Sequence, residues 1–202
     1  MTTTLQISRA TASDRPTISR TLARAFHDDP VFGWVVADPH ARRARLPAVF
    51  GAFADVYVKL DESYVAGEGA GAALWAPAGV EPFTEEQAEV FGQQMVDALD
   101  ADAERAFLMD QLLQKHHPEE PCLFLQFVGV VPEYQGRGLG SRMLTTVLDR
   151  ADATGTPAYL DATSPDNRRL YERHGFETVG EIALPDGPTL WSMWRAPVVR
   201  RD

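Results

Sequence analysis

Val128-Gly-Val-Val-Pro-Glu-Tyr-Gln-Gly-Arg-Gly-Leu-Gly-Ser141 leads out of an almost continuous apolar run, Cys122 to Val131, through a glycine-rich loop and straight into a helix-patterned stretch. The apolar run falls well short of the ~20 residues of a membrane span and reads as a central strand. Beyond the loop, Leu139, Met143, Val147 and Ala151 recur every four residues beside Leu144 and Leu148, one apolar face of a helix over about 138–153. Gly136, Gly138 and Gly140 allow close backbone approach. The first amides of the helix lack internal partners, and the helix dipole favours an anion there. The expected ligand is a phosphorylated cofactor.

Spacing separates the phosphate-binding patterns that fit such a loop. A P-loop needs Lys followed by Ser or Thr after its second Gly, and the stretch has neither. The dinucleotide fingerprint needs Gly where Ser141 stands, although Asp161, 20 residues on, imitates its ribose-binding acid and keeps an NAD(P)-dependent oxidoreductase as an alternative. A third pattern, Gln-x-x-Gly-x-Gly, is met by Gln135, Gly138 and Gly140.

Outward from this centre the chain alternates strand and helix signals. Leu5 and Ile7 suggest a short strand, and Asp14 and Pro16 open a helix carrying Ile18, Leu22 and Phe26. A second apolar-periodic stretch covers about 40–57, with Pro47 expected to kink or split it. Segments 63–66 and 72–76 around Gly67-Glu-Gly-Ala-Gly71 read as a hairpin. Residues 84–115 are helical and acidic, best read as a solvated face. Ala158 to Leu160 is a short strand. Ser164, Pro165 and Gly175 mark both ends of a helix over 165–174, and two strands around Pro185-Asp-Gly-Pro188 close the chain. No repeat or linker marks a second domain, so residues 1–202 are expected to form one.

Composition agrees with that reading. The 202 residues are 45% hydrophobic and 24% charged, enough for one large core. With 19 Lys and Arg against 29 Asp and Glu, the net charge of -10 disfavours a nucleic-acid partner and serves solubility. Among the 19 basic residues only Lys59 and Lys115 are Lys, which together with abundant Ala suggests a G+C-rich bacterial genome. The single Cys122 rules out an intramolecular disulfide and suits a reducing compartment. The first residues, Met-Thr-Thr-Thr-Leu-Gln-Ile, lack the basic and apolar parts of a signal peptide. The expectation is a cytoplasmic protein without membrane association, monomer or homodimer.

The Gln-x-x-Gly-x-Gly loop resembles the pyrophosphate loop of the GNAT superfamily of acetyl-CoA-dependent N-acetyltransferases. Val128-Gly-Val130 with Pro132 before it, and Asn167-Arg-Arg-Leu-Tyr-Glu-Arg-His-Gly-Phe176 after it, look like two further signatures of that superfamily. His117 to Pro121, Phe124-Leu125, Gln135-Gly136, Gly138 to Ser141 and Tyr171-Glu-Arg173 are similar to its puromycin N-acetyltransferase-like branch, with weaker similarity from about Ile7 to Trp194.

The resemblance implies a single α/β (α+β) domain with a mixed, twisted central sheet of about six to seven strands flanked by helices. It also implies a helical insertion at about 84–117 and fourth and fifth strands that splay to admit a pantetheine arm. Carried over, backbone groups of Val128, Gly129 and Val130 would hold the pantetheine and acetyl carbonyl. Gln135, Gly136, Arg137, Gly138, Leu139, Gly140 and Ser141 would hold the pyrophosphate, with Asn167 also on the cofactor. The implied reaction moves acetyl from acetyl-CoA to a primary amine of a small molecule, an aminonucleoside or another amine antibiotic, and a resistance role follows from the resemblance alone. A protein or peptide N-acetyltransferase and a non-catalytic acyl-CoA-binding module remain alternatives.

The chemistry names one further residue. A departing thiolate needs a proton, and a phenol can give it at neutral pH. Tyr171 shares a helix face with Asn167 and is the expected general acid, against a structural Tyr whose hydroxyl serves the backbone. A base for the amine is not evident, since the central strand carries Gln126 and Cys122 but no carboxylate. Asp28, Asp29, Glu68, Glu119 and His27 are candidates by location only. Cys122 is expected to be core rather than nucleophile. No metal site is expected, because adjacent His116 and His117 rarely point together. Trp75, Trp191 and Trp194 are core or pocket lining.

Overall fold

The computed structural model describes residues 5–198, so the first four residues used in the signal-peptide reading lie outside it. Its elements are β1 (Ile7–Arg9), α1 (Arg15–Ala25), α2 (Pro30–Val35), α3 (Pro39–Tyr57), β2 (Tyr64–Ala66), β3 (Gly71–Ala76), α4 (Glu85–Leu99), α5 (Ala103–Gln114), β4 (Leu123–Val130), α6 (Leu139–Thr154), β5 (Ala158–Ala162), α7 (Pro165–Glu172), β6 (Glu177–Ala183) and β7 (Thr189–Arg195). The strands form one mixed seven-stranded sheet in the order β1-β2-β3-β4-β5-β7-β6, flanked by helices in a single α/β fold. Only β4 and β5 run parallel; every other neighbouring pair is antiparallel.

Alternation along the strands sends side chains to two cores. On β3, Ala72, Leu74 and Ala76 join α1 to α5 on one face, while Ala73 and Trp75 join α6 and α7 on the other. Because both faces are covered, β3 is buried at every position, and β4 reads as an apolar run for the same reason.

Three elements differ from the sequence expectation. Helix α3 runs unbroken through Pro47, whose carbonyl accepts a hydrogen bond of 2.6 Å from the Ser19 hydroxyl on α1. The 84–115 segment is two helices, divided at Asp100, whose backbone turns to φ +54°. Helix α2 was not expected, although its start has a legible signal. Asp29 caps it by accepting from the Val31 and Phe32 amides, and Pro30 takes the first position.

The feature that positions the site is a bulge in β4. Leu74 pairs with Phe127 and Trp75 with Leu125, so Gln126 is the extra residue. Pairing of β4 with β5 covers Leu123 to Leu125 and stops there. Past the bulge the β5-facing edge of β4 is free, and the two strands part.

Candidate functional site

A cavity of about 680 Å³ opens where the strands separate. Val128, Gly129 and Val130 line it from β4, Gln135, Gly136 and Gly138 to Ser141 from the loop and α6, and Asn167 and Tyr171 from α7. The two sequence signatures therefore meet across one space.

The loop builds its wall by local geometry. Gly136 and Gly138 have φ of +70° and +75°, a region that L side chains rarely adopt, and a Cβ on either would meet open space. Helix α6 begins at Leu139, and its first backbone bond is Arg142 N–H to Gly138 C=O at 3.1 Å. Among the described residues the Leu139, Gly140 and Ser141 amides make no backbone hydrogen bond. The Gln135 side chain folds back to donate to the Val130 carbonyl at 2.9 Å, which pins the loop to the end of β4.

Two of the expected cofactor residues stand differently. Gly129 is required by packing: a Cβ there would fall 2.8 Å from Ala25 Cβ and 3.0 Å from Leu22 Cδ2, so its missing side chain lets α1 lie on β4. Arg137 does not line the cavity. Its guanidinium rests 5.5 Å from the centre of the Tyr134 ring and faces a neighbouring hollow with Arg24 and Glu133.

On α7, Ser164 caps the helix by accepting from the Asn167 amide at 3.2 Å. The Asn167 side-chain amide donates to the Thr163 hydroxyl at 3.2 Å, and Thr163 in turn donates to the Asp29 carboxylate. Asp29 is thus held from α2 and from the β5–α7 turn, and it lines the 680 Å³ cavity beside Asp28. Burial lifts its carboxyl above the usual range, partly offset by its three donors. Tyr171 is buried, its ring packed edge-on against Phe176 at 6.0 Å, and among the described residues no hydrogen bond holds its hydroxyl. Burial first, and the nearby Asp29 charge second, push its phenol well above the ordinary value, so it keeps its proton through the neutral range.

A second cavity, of about 310 Å³, lies between α2, α4, α5 and β4. Its walls are mostly apolar, with Phe53, Phe91, Phe124 and Phe127 among them, and it reaches Gln126 and Asp161 at the point of strand separation. Thr163 lines this cavity while its acceptor Asp29 lines the other, so one hydrogen bond stands between the two. Sequence reasoning did not find it. The available signal was Asp161, a carboxylate inside the apolar run Ala158 to Ala162.

The remaining candidates are scattered. Of the five proposed bases, Asp28 and Asp29 line the larger cavity, whereas His27, Glu68 and Glu119 line neither of these two. His116 and His117 turn their Nδ1 atoms to different carbonyls, Leu112 and Pro118. Cys122 is buried, and desolvation with the Glu120 charge raises its thiol to about 11. Trp75 is fully buried in the α6 core, and neither it, Trp191 nor Trp194 lines the two cavities.

Residues 91–176, which hold the free edge of β4, the loop and α7, match the model of the acetyltransferase (GNAT) family. That segment, just under half of the chain, is therefore similar to GNAT acetyltransferases. A curated relative, acetyltransferase Atu2258 of Agrobacterium fabrum, is 31% identical over 67 residues, 33% of this chain and 49% of the relative, so the match spans about half of that protein. A crystal structure from Corynebacterium glutamicum, described as histone acetyltransferase HPA2 and related acetyltransferase, superposes with a TM-score of 0.70 at 26% identity, covering 98% of this chain and 99% of that one. Arylalkylamine N-acetyltransferase 2 of Aedes aegypti shares the fold at TM-score 0.62 and 17% identity, over 95% and 98% of the two chains. No helix of the described residues is long and apolar enough to cross a membrane.

Proposed function

We propose that this chain, acting as a single domain with the 84–117 segment as a helical insertion, transfers acetyl from acetyl-CoA to a primary amine of a small molecule. The observation that carries the reading is the cavity of about 680 Å³ at the parted strands, into which the loop and Tyr171 both face. Its residues fit the cofactor chemically. Free amides of Leu139, Gly140 and Ser141 at the start of α6, with the open glycines 136 and 138, suit a pyrophosphate. The unpaired edge of β4 at Val128 to Val130 suits the amide-bearing pantetheine, which would extend the sheet as a strand does.

Acetyl-CoA supplies an acetyl group activated as a thioester. As the neutral amine nitrogen bonds to the carbonyl carbon and the carbon–sulfur bond breaks, Tyr171 gives its hydroxyl proton to the sulfur, and the nitrogen gives up one of its own protons through water, which restores the phenol. Its raised pKa keeps that proton available, and with no acceptor among the described residues the O–H is free to point into the cavity. Asn167, tied to Thr163 and Asp29, fixes the wall that α7 presents. Arg137 reaches the phosphates only by leaving Tyr134, and it is not required for the first contact.

Free-thiol release from acetyl-CoA by the purified protein, with acetyl-CoA binding measured in parallel, tests this across puromycin, aminoglycosides, polyamines and simple amines. Puromycin leads the panel on the motif similarity, and a resistance role in a bacterial cytoplasm would rest on its turnover. Amine-dependent release is expected. Binding without release from any amine would leave a non-catalytic acyl-CoA module, and binding of NAD(P) in place of acetyl-CoA would overturn the reading. The name of the Corynebacterium structure favours one second reading, transfer to a protein lysine, which a lysine-rich peptide in the same panel would reveal.

A further inference from the structure

The cavity of about 310 Å³ on the helix-rich face has twice the roughly 150 Å³ that holds a benzene molecule in an apolar protein cavity. One aromatic ring and a short chain fill such a space. Phe53, Phe91, Phe124, Phe127, Met95 and Met109 supply dispersion contacts, and two carboxylates, Asp110 and Asp161, interrupt them. A carboxylate among aromatic rings is costly unless donors or a cation meet it. Asp161 is only half met. Tyr159 donates to its Oδ1 at 3.0 Å and Ser192 to the same atom at 2.8 Å, while Oδ2 has no donor among the described residues.

Its place in the fold adds an independent argument. Leu160 is the last β5 residue paired with β4, so Asp161 stands where the strands part and where the two cavities approach each other through Thr163 and Asp29. A positive head placed there would lie beside the carboxylate with its apolar body among the phenylalanines. A polycation could set a second charge only beside Asp110, which already accepts from Gln114, and any third charge would lie against Phe and Met.

We propose that this cavity is the acceptor site, that it takes a primary amine carried on a compact apolar or aromatic body, and that Asp161 receives the ammonium. The proposal rests on the transferase reading above for its reaction, but not for its binding. Desolvation raises the carboxyls of both Asp161 and Asp110, as expected of groups that gain most from an incoming cation. Of the two, Asp161 stands at the point where β4 and β5 part, next to the larger cavity, and that position makes it the anchor.

The test compares 2-phenylethylamine, its neutral isostere 2-phenylethanol, spermidine and a lysine peptide on the intact protein, by calorimetric binding and by thiol release at saturating acetyl-CoA. Wild-type protein is expected to bind 2-phenylethylamine at least tenfold tighter than 2-phenylethanol and to turn it over in preference to spermidine. Asp161→Asn keeps an acceptor for Tyr159 and Ser192, and it should raise the KM for 2-phenylethylamine by about ten- to a hundredfold, the range of a charged hydrogen bond, with acetyl-CoA affinity and 2-phenylethanol inhibition unchanged. Spermidine or the peptide as preferred substrate would overturn the proposal. So would equal wild-type affinity for amine and alcohol, or an Asp161→Asn effect as large on the alcohol as on the amine, which marks a structural role. Loss of acetyl-CoA binding and thiol release with selective 2-phenylethylamine binding intact would refute the transferase reading alone.

Discussion

Replacing Tyr171 by Phe removes one oxygen and leaves the ring where it packs on Phe176. Because no protein group among the described residues bonds that hydroxyl, the substitution breaks no hydrogen bond of the fold, and stability is expected to hold within about 0.5 kcal/mol. Catalysis is a separate matter. Loss of a positioned general acid costs about 10²- to 10⁴-fold in rate, or about 2.7 to 5.5 kcal/mol of barrier. Thiol release at saturating acetyl-CoA and amine should fall by that factor, while acetyl-CoA binding stays within about twofold. Burial and Asp29 hold the phenol protonated well above its ordinary value, so wild-type turnover should show no loss from phenol ionisation up to about pH 9. Turnover in Tyr171→Phe within about threefold of wild type would refute the role, and an equal loss of cofactor affinity would reassign Tyr171 to the wall of the site.

Three further outcomes follow from the packing and the charges. Gly129→Ala forces a Cβ to within 2.8 Å of Ala25 and should cost about 1–3 kcal/mol, lowering the melting temperature by about 2–4 °C per kcal/mol, whereas Gly140→Ala, with contacts of 3.8 and 3.9 Å, should leave it nearly unchanged. Asp152→Ala strands Arg195, a 6% exposed residue that makes paired bonds of 2.7 and 2.8 Å to that carboxylate, and denaturant titration should show a loss of about 3–5 kcal/mol. Asp110 is raised by burial, so the folded state holds its proton more tightly than the unfolded chain; its ionisation destabilises as pH rises from the unfolded value of 3.8 through the raised folded one. Asp110→Asn should therefore exceed wild type in stability at neutral pH, with the difference vanishing in acid; a gap that widened in acid would contradict the desolvation argument.

Legibility in the sequence followed the range of the forces involved. The β4–loop–α6 unit and α7 were readable because each rests on neighbours within about a helical turn: four-residue periodicity, glycines at positive φ, and Ser164 with Pro165 at a helix start. Helix α2 had its cap in plain view at Asp29, but its six residues are too few to show a period. The division at Asp100 left no trace, since acidic and apolar positions continue across it while one residue takes positive φ. Pro47 signalled a break that did not occur: α3 continues through it, packed against α1, where Ser19 donates to its carbonyl.

The sequence by itself determined the alternation of strands and helices, the phosphate-ready loop and the shared helix face of Asn167 and Tyr171, because these are local consequences of side-chain type and spacing. Only the tertiary structure decided the rest. The Gln126 bulge exists through pairing with β3, the Thr163–Asp29 bond joins residues 134 apart in the chain, and the apolar cavity arises where α2, α4 and α5 meet β4. Each depends on which distant surfaces come together, and no local periodicity carries that information.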